Sequence, residues 1–453
     1  MGPIGENESV TESTPVRGRV LSRARELSEP PEPRAFLESA DSPRLFWSGP
    51  ETATIVGSGA AAIISASGEA RFGRVRQEAT QLFEGGDVHA GSPVARPRLF
   101  GGFAFDSAPS DDELWDGYPG ARFVLPAEQV SIDEDGTWLT VNVVDEETPP
   151  TAVEERLEAV ASRLSALPEA EPPADRPGVS HRERVMAAPA WRASVADASG
   201  RIRDGELSKV VLAQAMRTEL GARPATPDIL TRLGQSHPHC TQFLFEPPDS
   251  DGRTGFLGAT PEQLIGLRGR TVETEALAGT TGRGDTLEED EWLATELLDD
   301  EKNRHEHSLV VETIRTQLAP FAGSLSTGDR RVRRLATIQH LETPITAELE
   351  AKEHVLTLVE ALHPTPAVGG LPPAVARETI RETERFDRGW YAAPIGWFDA
   401  AGYGSFAVAL RSGLIRGERA TLFAGVGIVG DSDPDREADE IELKYRPLLD
   451  ELE

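Results

Sequence analysis

The chain of 453 residues contains a single cysteine, Cys240. One cysteine excludes a disulfide within the chain and a cysteine-rich zinc module. The sequence also lacks any apolar run near the roughly 20 residues that span a bilayer, and residues 1–20 lack the apolar core of a secretory signal. We therefore expect a cytoplasmic protein.

The chain has few basic residues relative to acidic ones: 46 lysines and arginines against 76 aspartates and glutamates, which gives a net charge of −30. This balance argues against a nucleic-acid partner, which requires a basic face. The acidic residues run from Glu6 to Glu453 instead of forming one block, which disfavours an acidic interaction tail. A uniformly acidic surface is typical of a halophilic protein, because salt screens its self-repulsion.

Lysine is scarcer than any other common charged residue, with only Lys209, Lys302, Lys352 and Lys444 in the chain. Lysine differs from arginine because burial can deprotonate it and turn it into a base. Each lysine is therefore a candidate functional residue, although chance retention on the surface is the alternative.

Residues 1–30 are rich in Ser, Glu and Pro and predict a disordered N-terminal arm. Residues 31–185 contain short alternating segments such as ARFVLPAEQVSID, which predict strands, and one helix over Val153–Leu167. Residues 186–453 alternate further strands with two long helices, predicted over residues 290–321 and 434–453. This pattern predicts an α+β fold with large, mainly antiparallel sheets.

The terminal helix carries the clearest constellation. Asp433 can cap it and Pro434 suits its first turn. Glu437, Glu440 and Lys444 are spaced i, i+3 and i+7, so they share one face. Such a face is either a solvated ladder of ion pairs or a site for a hard cation beside a lysine that holds an anion.

Glu306 lies in the other long helix, between His305 and His307. The two histidines point to different helix faces, which disfavours a zinc pair. Glu306 adjoins the apolar stripe of Leu309 and Val310, and a carboxylate there needs a compensating cation. Mg²⁺ would meet that need.

Three further features have two interpretations each. Lys209, flanked by valines in a predicted strand, is either an inward-facing general base or an outward surface lysine. Glu262 follows a proline at a strand end and is unremarkable alone. The segment GVGIVG, Gly425 to Gly430, matches G-x-G-x-x-G, but no βαβ unit surrounds it, which favours a close backbone approach to a ligand over a dinucleotide loop.

Taken together, these segments resemble the chorismate-utilising family, which includes anthranilate, aminodeoxychorismate, isochorismate and salicylate synthases. The resemblance covers roughly residues 190–450, in the family's order. The matching blocks are LSKVVLAQ, GATPEQL, EALAGTTGRG, EKNRHEHSLVV, QHLETPITAEL, LHPTPAVGGLP, WYAAPIGWFD, FAVALRSG and FAGVGIVGDSDPDREADEIELK.

The resemblance implies a single domain in which two large sheets pack face to face, with helices outside and a cleft for chorismate and Mg²⁺. It implies Glu306 and Glu440 as metal ligands, supported by Glu437. The residues that it implies for substrate binding are Gly279, Thr280, His340, Ala367, Tyr391, Arg411, Gly425, Gly427 and Lys444.

The reaction depends on residue 209. Relatives that add ammonia usually carry glutamine there and use a glutaminase partner, whereas Lys209 with Ala278 and the segment LHPTPAVGG resembles the water-adding, isochorismate-forming pattern. The resemblance then implies Lys209 as the base that activates water and Glu262 as the acid that protonates the departing hydroxyl. It also implies a monomer without a glutaminase subunit, and we favour menaquinone biosynthesis as the pathway. Salicylate synthase, anthranilate synthase component I and a non-catalytic acidic binding protein remain alternatives.

Overall fold

The computed structural model describes residues 18–50, 52–108, 112–169, 171–248, 250 and 252–453. Across these ranges, every helix is too short or too polar to cross a membrane. The strands are β1 Arg19–Leu27, β2 Arg44–Ser48, β3 Thr54–Ala66, β4 Asp87–His89, β5 Arg98–Phe103, β6 Ala121–Asp133, β7 Gly136–Asp145, β8 Val179–Arg184, β9 Lys209–Leu220, β10 Thr241–Phe245, β11 Thr254–Thr260, β12 Gln263–Arg268, β13 Thr271–Gly282, β14 Ala322–Thr327, β15 Arg331–Arg334, β16 Ile338–Leu349, β17 Gly370–Leu371, β18 Pro394–Asp399, β19 Gly404–Val408, β20 Ser412–Arg416 and β21 Arg419–Ile428. The helices are α1 Pro33–Ser39, α2 Arg71–Phe83, α3 Pro150–Ser165, α4 Ala188–Arg203, α5 Thr226–Ser236, α6 Leu287–Asp299, α7 Glu301–Leu318, α8 Val355–Leu362, α9 Pro373–Thr383 and α10 Pro434–Leu449.

Two sheets branch from the long strand β6. The first sheet has the order β4-β1-β7-β6-β3-β2-β10-β11-β20-β21-β9, and β8 and β17 both pair with β9. The second sheet has the order β6-β5-β18-β19-β12-β13-β16, and β14 and β15 both pair with β16. Among the described strands, only the β1–β4 pair is parallel. The predicted α+β class with two large, mainly antiparallel sheets is confirmed.

Strand β6 can serve both sheets because its thirteen residues are long enough to pair with β5 over residues 121–124 and with β7 over residues 128–133. Phe123 lies in β6, the strand that the two sheets share, and its side chain is fully buried. Its ring centroid lies 5.2 Å from that of Phe103 and 5.2 Å from that of Phe398. Phe103 belongs to β5 and Phe398 to β18, so this aromatic cluster holds the second sheet onto β6.

The N-terminal prediction is wrong in part. Residues 1–17 lie outside the described residues, but Arg19–Leu27 forms β1 and pairs with β7 along its whole length instead of belonging to a disordered arm. Its charged composition concealed the strand, because the charges have partners: Arg23 lies 2.8 Å from Asp87, and Arg25 lies 2.6 Å from Glu158.

The helix predicted over residues 290–321 is two helices, α6 and α7. Asp300 between them has extended backbone geometry, and its side chain accepts a hydrogen bond from the Asn303 amide, which caps α7. The terminal helix begins as predicted, with Asp433 accepting from the amides of Asp435 and Arg436, and it ends at Leu449. The strand pairs β2–β10 and β5–β18 cross the predicted boundary between residues 185 and 186, so the two parts share sheets.

We predict that Phe123→Ala lowers the free energy of unfolding by about 3–5 kcal/mol, because it removes a buried ring and leaves a cavity. Urea denaturation measures this change. Leu287→Ala is the control, since Leu287 is 88% exposed and its loss should change the free energy by less than about 0.5 kcal/mol. A loss below about 1 kcal/mol for Phe123→Ala would show that the ring does not hold the sheets together.

Candidate active site

A cavity of about 250 Å³ lies between the two sheets. Strands β9 and β21 of the first sheet form one wall, and β13 and β16 of the second sheet form another. Helices α7 and α10 close it with their carboxylates. The cavity brings together all fourteen predicted site residues, namely Lys209, Glu262, Gly279, Thr280, Glu306, His340, Ala367, Tyr391, Arg411, Gly425, Gly427, Glu437, Glu440 and Lys444.

Lys209 opens strand β9 and points inward, with 2% of its area exposed. Its Nζ atom lies 2.6 Å from Glu306 Oε1 on α7. This partner is what makes burial of the ammonium tolerable, because an isolated buried charge would cost several kcal/mol. Burial first acts to raise the pKa of Glu306, but the charge and hydrogen bond of Lys209 outweigh it and lower that pKa. The contact engages the Lys209 amine with a carboxylate, whereas the predicted base requires an amine that is free to accept a proton.

Gly427 explains part of the glycine-rich segment. A Cβ atom at Gly427 would lie 3.1 Å from Lys209 Cε and 3.2 Å from Glu306 Oε1, closer than side chains normally pack. A Cβ atom at Gly425 would lie 3.0 Å from the Tyr391 hydroxyl oxygen. The glycines therefore make room for site side chains, where the sequence suggested room for a ligand.

Glu262 occupies the turn between β11 and β12 and is 6% exposed. Burial is the main reason that its pKa rises to about 8, and the negative charge of Glu275 raises it further. Thr365 donates a long hydrogen bond of 3.5 Å to Glu262 Oε1. Glu262 is thus a carboxylic acid at neutral pH, the form that a proton donor needs.

Helix α10 presents its predicted face to the cavity. Lys444 Nζ lies 2.7 Å from Glu440 Oε1 and donates to the Gly425 carbonyl oxygen at 2.9 Å. Burial raises the pKa of Glu437 to about 7, and the charge of Glu440 adds to this effect. This face of α10 therefore contains an ion pair, Lys444 with Glu440, and two carboxylates that repel each other, Glu437 and Glu440.

The donor set fits a magnesium ion. Within the described residues, no group of three or more His, Cys, Asp or Glu side chains converges closely enough to enclose a metal by itself. Mg²⁺ needs no such cage, since it usually keeps several waters and takes one or two carboxylates together with substrate oxygens. The repulsion between Glu437 and Glu440 is what a cation would relieve, and Glu306 faces the same cavity.

His340 contacts three of the predicted substrate-binding residues. Its Nδ1 atom lies 3.0 Å from Thr280 Oγ1 and 3.4 Å from the Gly279 carbonyl oxygen, while its Nε2 atom accepts from Arg411 Nη2 at 3.2 Å. Burial, with the charges of Arg411 and Lys444, holds the pKa of His340 well below its usual range, so the ring is neutral.

Two backbone features aim these side chains. Strand β13 has a bulge between Ala278 and Thr280, where Gly279 adopts a φ of 79°. Arg411 has a φ of 50°, a conformation that costs energy for a residue with a side chain. Bulges and strained residues of this kind are concentrated at functional sites.

Four polar residues that line the cavity were not among the predicted site residues: Lys302, Asn303, Arg388 and Arg436. Lys302 had a signal, because it is one of only four lysines in the chain. The structure places three of these four in the cavity, and Lys352 lies outside it. Asn303, Arg388 and Arg436 had none, since their place depends on how helices and loops pack.

Residues 9–453 match the family model for chorismate binding enzymes. The chain belongs to this family. Its relatives in the family include the salicylate biosynthesis isochorismate synthase of Pseudomonas aeruginosa, with 39% identity over 92% of this chain and 86% of the relative. The isochorismate synthase MenF of Bacillus subtilis is 35% identical over 90% of this chain and 88% of the relative.

Solved structures of the family agree. The menaquinone-specific isochorismate synthase MenF from Escherichia coli superposes with a TM-score of 0.81 and 26% identity, covering 98% of this chain and 97% of that one. Anthranilate synthase component I from Streptococcus pneumoniae has a TM-score of 0.70 at 21% identity, which shows that the fold is shared.

We predict that the Glu262 carboxyl stays protonated until the pH reaches about 8. Infrared difference spectra between wild type and Glu262→Gln isolate its carboxylic-acid carbonyl band from those of other acids. The band should persist at neutral pH and disappear as the pH rises through about 8. A band that disappears near the ordinary glutamate value of 4.5 would contradict the burial argument.

Proposed function

We propose that the protein is an isochorismate synthase that converts chorismate to isochorismate with Mg²⁺. Water adds at C2 of the ring and the hydroxyl group at C4 leaves. The observation that carries the proposal is the presence of buried Lys209 and buried, protonated Glu262 in the same cavity. Relatives at 35–39% identity over nine-tenths of the chain, named isochorismate synthases, support it.

Lys209 and Glu262 act in opposite directions. Lys209 takes a proton from the water whose oxygen forms the bond to C2. The ring double bonds shift, the C4–oxygen bond breaks, and Glu262 gives its proton to the departing hydroxyl, which leaves as water. Glu262 suits its role because burial keeps it protonated at neutral pH. Lys209 suits its role only when its contact with Glu306 is broken, because the base needs an amine that is free to accept the proton of water.

Arg411, Lys444 and the backbone around Gly425 and Gly427 would hold the substrate carboxylates. Arg411 and Lys444 are cationic groups in the cavity, and Lys444 already bonds the Gly425 carbonyl oxygen. Gly279, Thr280, His340, Ala367 and Tyr391 would line the ring. These assignments follow from the shared cavity and from the family's motifs.

Glu306 and Glu440 would hold Mg²⁺, with Glu437 supporting them directly or through water. When bound, the ion supplies positive charge beside the substrate's ring carboxylate. The carboxylates of α7 and α10 place negative charge in the cavity, which a bound cation would neutralise beside a dianionic substrate.

The proposal also covers the pathway that the protein serves, its location and its oligomeric state. The Bacillus subtilis and Escherichia coli proteins named MenF favour menaquinone biosynthesis, whereas the Pseudomonas aeruginosa relative is named for salicylate biosynthesis. That relative is itself named an isochorismate synthase, which makes pyruvate elimination by this chain less supported. We propose a cytoplasmic monomer without a glutaminase subunit, and its acidic surface supports adaptation to high salt.

Product analysis tests the reaction. Chorismate incubated with the enzyme and Mg²⁺ alone should give isochorismate, separated by liquid chromatography, with neither pyruvate nor salicylate. Stoichiometric pyruvate with salicylate would replace the proposal with a salicylate synthase. Anthranilate formed on addition of ammonia would place the chain among the amine-adding enzymes.

Lys209→Gln should lower kcat by roughly 10²–10⁴-fold, because an amide cannot accept the proton from water. Chorismate binding, followed by calorimetry, should change little. Lys352→Gln is the matched control, since Lys352 is an exposed lysine outside the cavity and should keep wild-type turnover. Full turnover by Lys209→Gln would remove Lys209 from the role of base.

Chelation with EDTA should abolish turnover, and added Mg²⁺ should restore it. Glu440→Gln should raise the Mg²⁺ concentration needed for half-maximal activity by roughly 10-fold or more, because it removes a carboxylate ligand. Glu442→Gln on the same helix is the control, since Glu442 pairs with Arg184 and does not line the cavity. An unchanged Mg²⁺ requirement in Glu440→Gln would place the metal elsewhere.

A further inference from the structure

We infer that the ion pair of Glu275 and Arg333 is a positioning device for the proton donor Glu262, which it holds by the peptide groups on both of its sides. The inference rests on the proposed function, because it concerns how Glu262 is aimed. Glu275 is the first residue of the matching block EALAGTTGRG but has no predicted role, and Arg333 lies in none of the matching blocks. Both residues lie outside the set that lines the cavity.

The contacts surround Glu262 along the chain. Arg333 Nη1 donates to the carbonyl oxygen of Pro261 at 2.7 Å, one residue before Glu262. The amide of Gln263, one residue after, donates to Glu275 Oε1 at 3.1 Å. Arg333 and Glu275 are joined directly, with Nη1 and Oε1 2.8 Å apart. The turn that carries Glu262 is thus fixed at both ends to a single ion pair.

Two other bonds complete the support from the opposite side. The Glu262 amide donates to Thr260 Oγ1 at 3.3 Å, and the Val408 amide donates to the Glu262 carbonyl oxygen at 3.1 Å. The Pro261 carbonyl, the Glu262 amide and carbonyl and the Gln263 amide are thus all bonded, which restricts rotation of the main chain at Glu262. The Glu262 side chain lines the cavity.

Arg333 is itself anchored. Its Nε atom lies 3.0 Å from Glu342 Oε2 on β16, and in the β15–β16 ladder Arg333 stands opposite His340, which lines the cavity. The four-residue strand β15 therefore carries a cation from the sheet edge to the Glu262 turn. Such support from behind a reacting group is what holds it within a fraction of an ångström of productive geometry.

The pair also has an electrostatic effect on Glu262. Titratable groups that face Glu262 are Glu275 from β13, Lys209 from β9, Lys444 from α10 and Tyr391. Burial raises the Glu262 pKa most, and the negative charge of Glu275 is the next largest cause of the rise. The charges of Lys209 and Lys444 lower the same pKa. Burial raises the pKa of Glu275 itself, and the positive charge of Arg333 opposes that rise.

The test is Glu275→Gln, which keeps an oxygen to accept from Gln263 and Arg333 but removes the charge. The alkaline limb of the kcat–pH profile, set by loss of the Glu262 proton, should move to lower pH by roughly one unit. The Glu262 carbonyl band in infrared spectra should titrate at the same lower pH. A profile and a band that stay at the wild-type pH would overturn the inference, because a merely structural pair would leave both in place.

Arg333→Met gives the second measurement and decides the matter if Glu275→Gln does not fold. Losing the bond to the Pro261 carbonyl should lower kcat by roughly 10-fold or more while KM changes little, because the donor is misplaced but substrate contacts remain. An unchanged kcat would overturn the inference.

Glu246→Gln is the matched control for both variants. Glu246 is a fully buried acid paired with Arg44 at 2.6 Å, away from the cavity, so its loss should affect stability without moving the pH profile. If wild-type protein fails to convert chorismate at all, the proposed function fails; if it converts chorismate and Glu275→Gln keeps the wild-type profile, only the positioning role fails.

Discussion

The Lys209–Glu306 ion pair, with its atoms 2.6 Å apart, is the interaction on which the arrangement of the cavity depends. A buried ammonium is tolerated only beside an anion, so β9 and α7 must meet at this point. Their meeting in turn requires β21 to pass without a side chain, which is why residue 427 is glycine. The pair also sets a condition on the proposed chemistry, because the role of base for Lys209 requires that Glu306 take another partner.

The cavity lining is rich in basic side chains, whereas the whole chain is strongly acidic. The described lining includes six basic side chains and four acidic ones, and burial keeps one of the acids, Glu262, protonated near neutral pH. A chain of net charge −30 thus encloses a locally cationic chamber suited to a dicarboxylate. Neutral His340 fits this pattern, because the surrounding cations and burial both disfavour its protonation.

Local rules predicted the parts of the site that local chemistry determines. Asp433 as a cap and the spacing of Glu437, Glu440 and Lys444 predicted α10 and its face, and the scarcity of lysine drew attention to Lys209. The strand ARFVLPAEQVSID was predicted with the bounds that β6 has. The resemblance to relatives, not composition, brought the fourteen residues together. Features that depend on partners distant in sequence were missed. Strand β1 was missed because acidic residues elsewhere in the chain pair with its arginines. The contacts of Glu275 and Arg333 were missed because they depend on the packing of β15 against the Glu262 turn.

The central claim is that a buried amine and a buried acid add one water to the ring and release another. Turnover of chorismate in water labelled with heavy oxygen, followed by mass spectrometry of the product, tests it most directly. The account predicts isochorismate with one heavy oxygen, located in the C2 hydroxyl. Isochorismate that carries only the original oxygen would mean that the hydroxyl migrates within the substrate, and would contradict the roles given to Lys209 and Glu262.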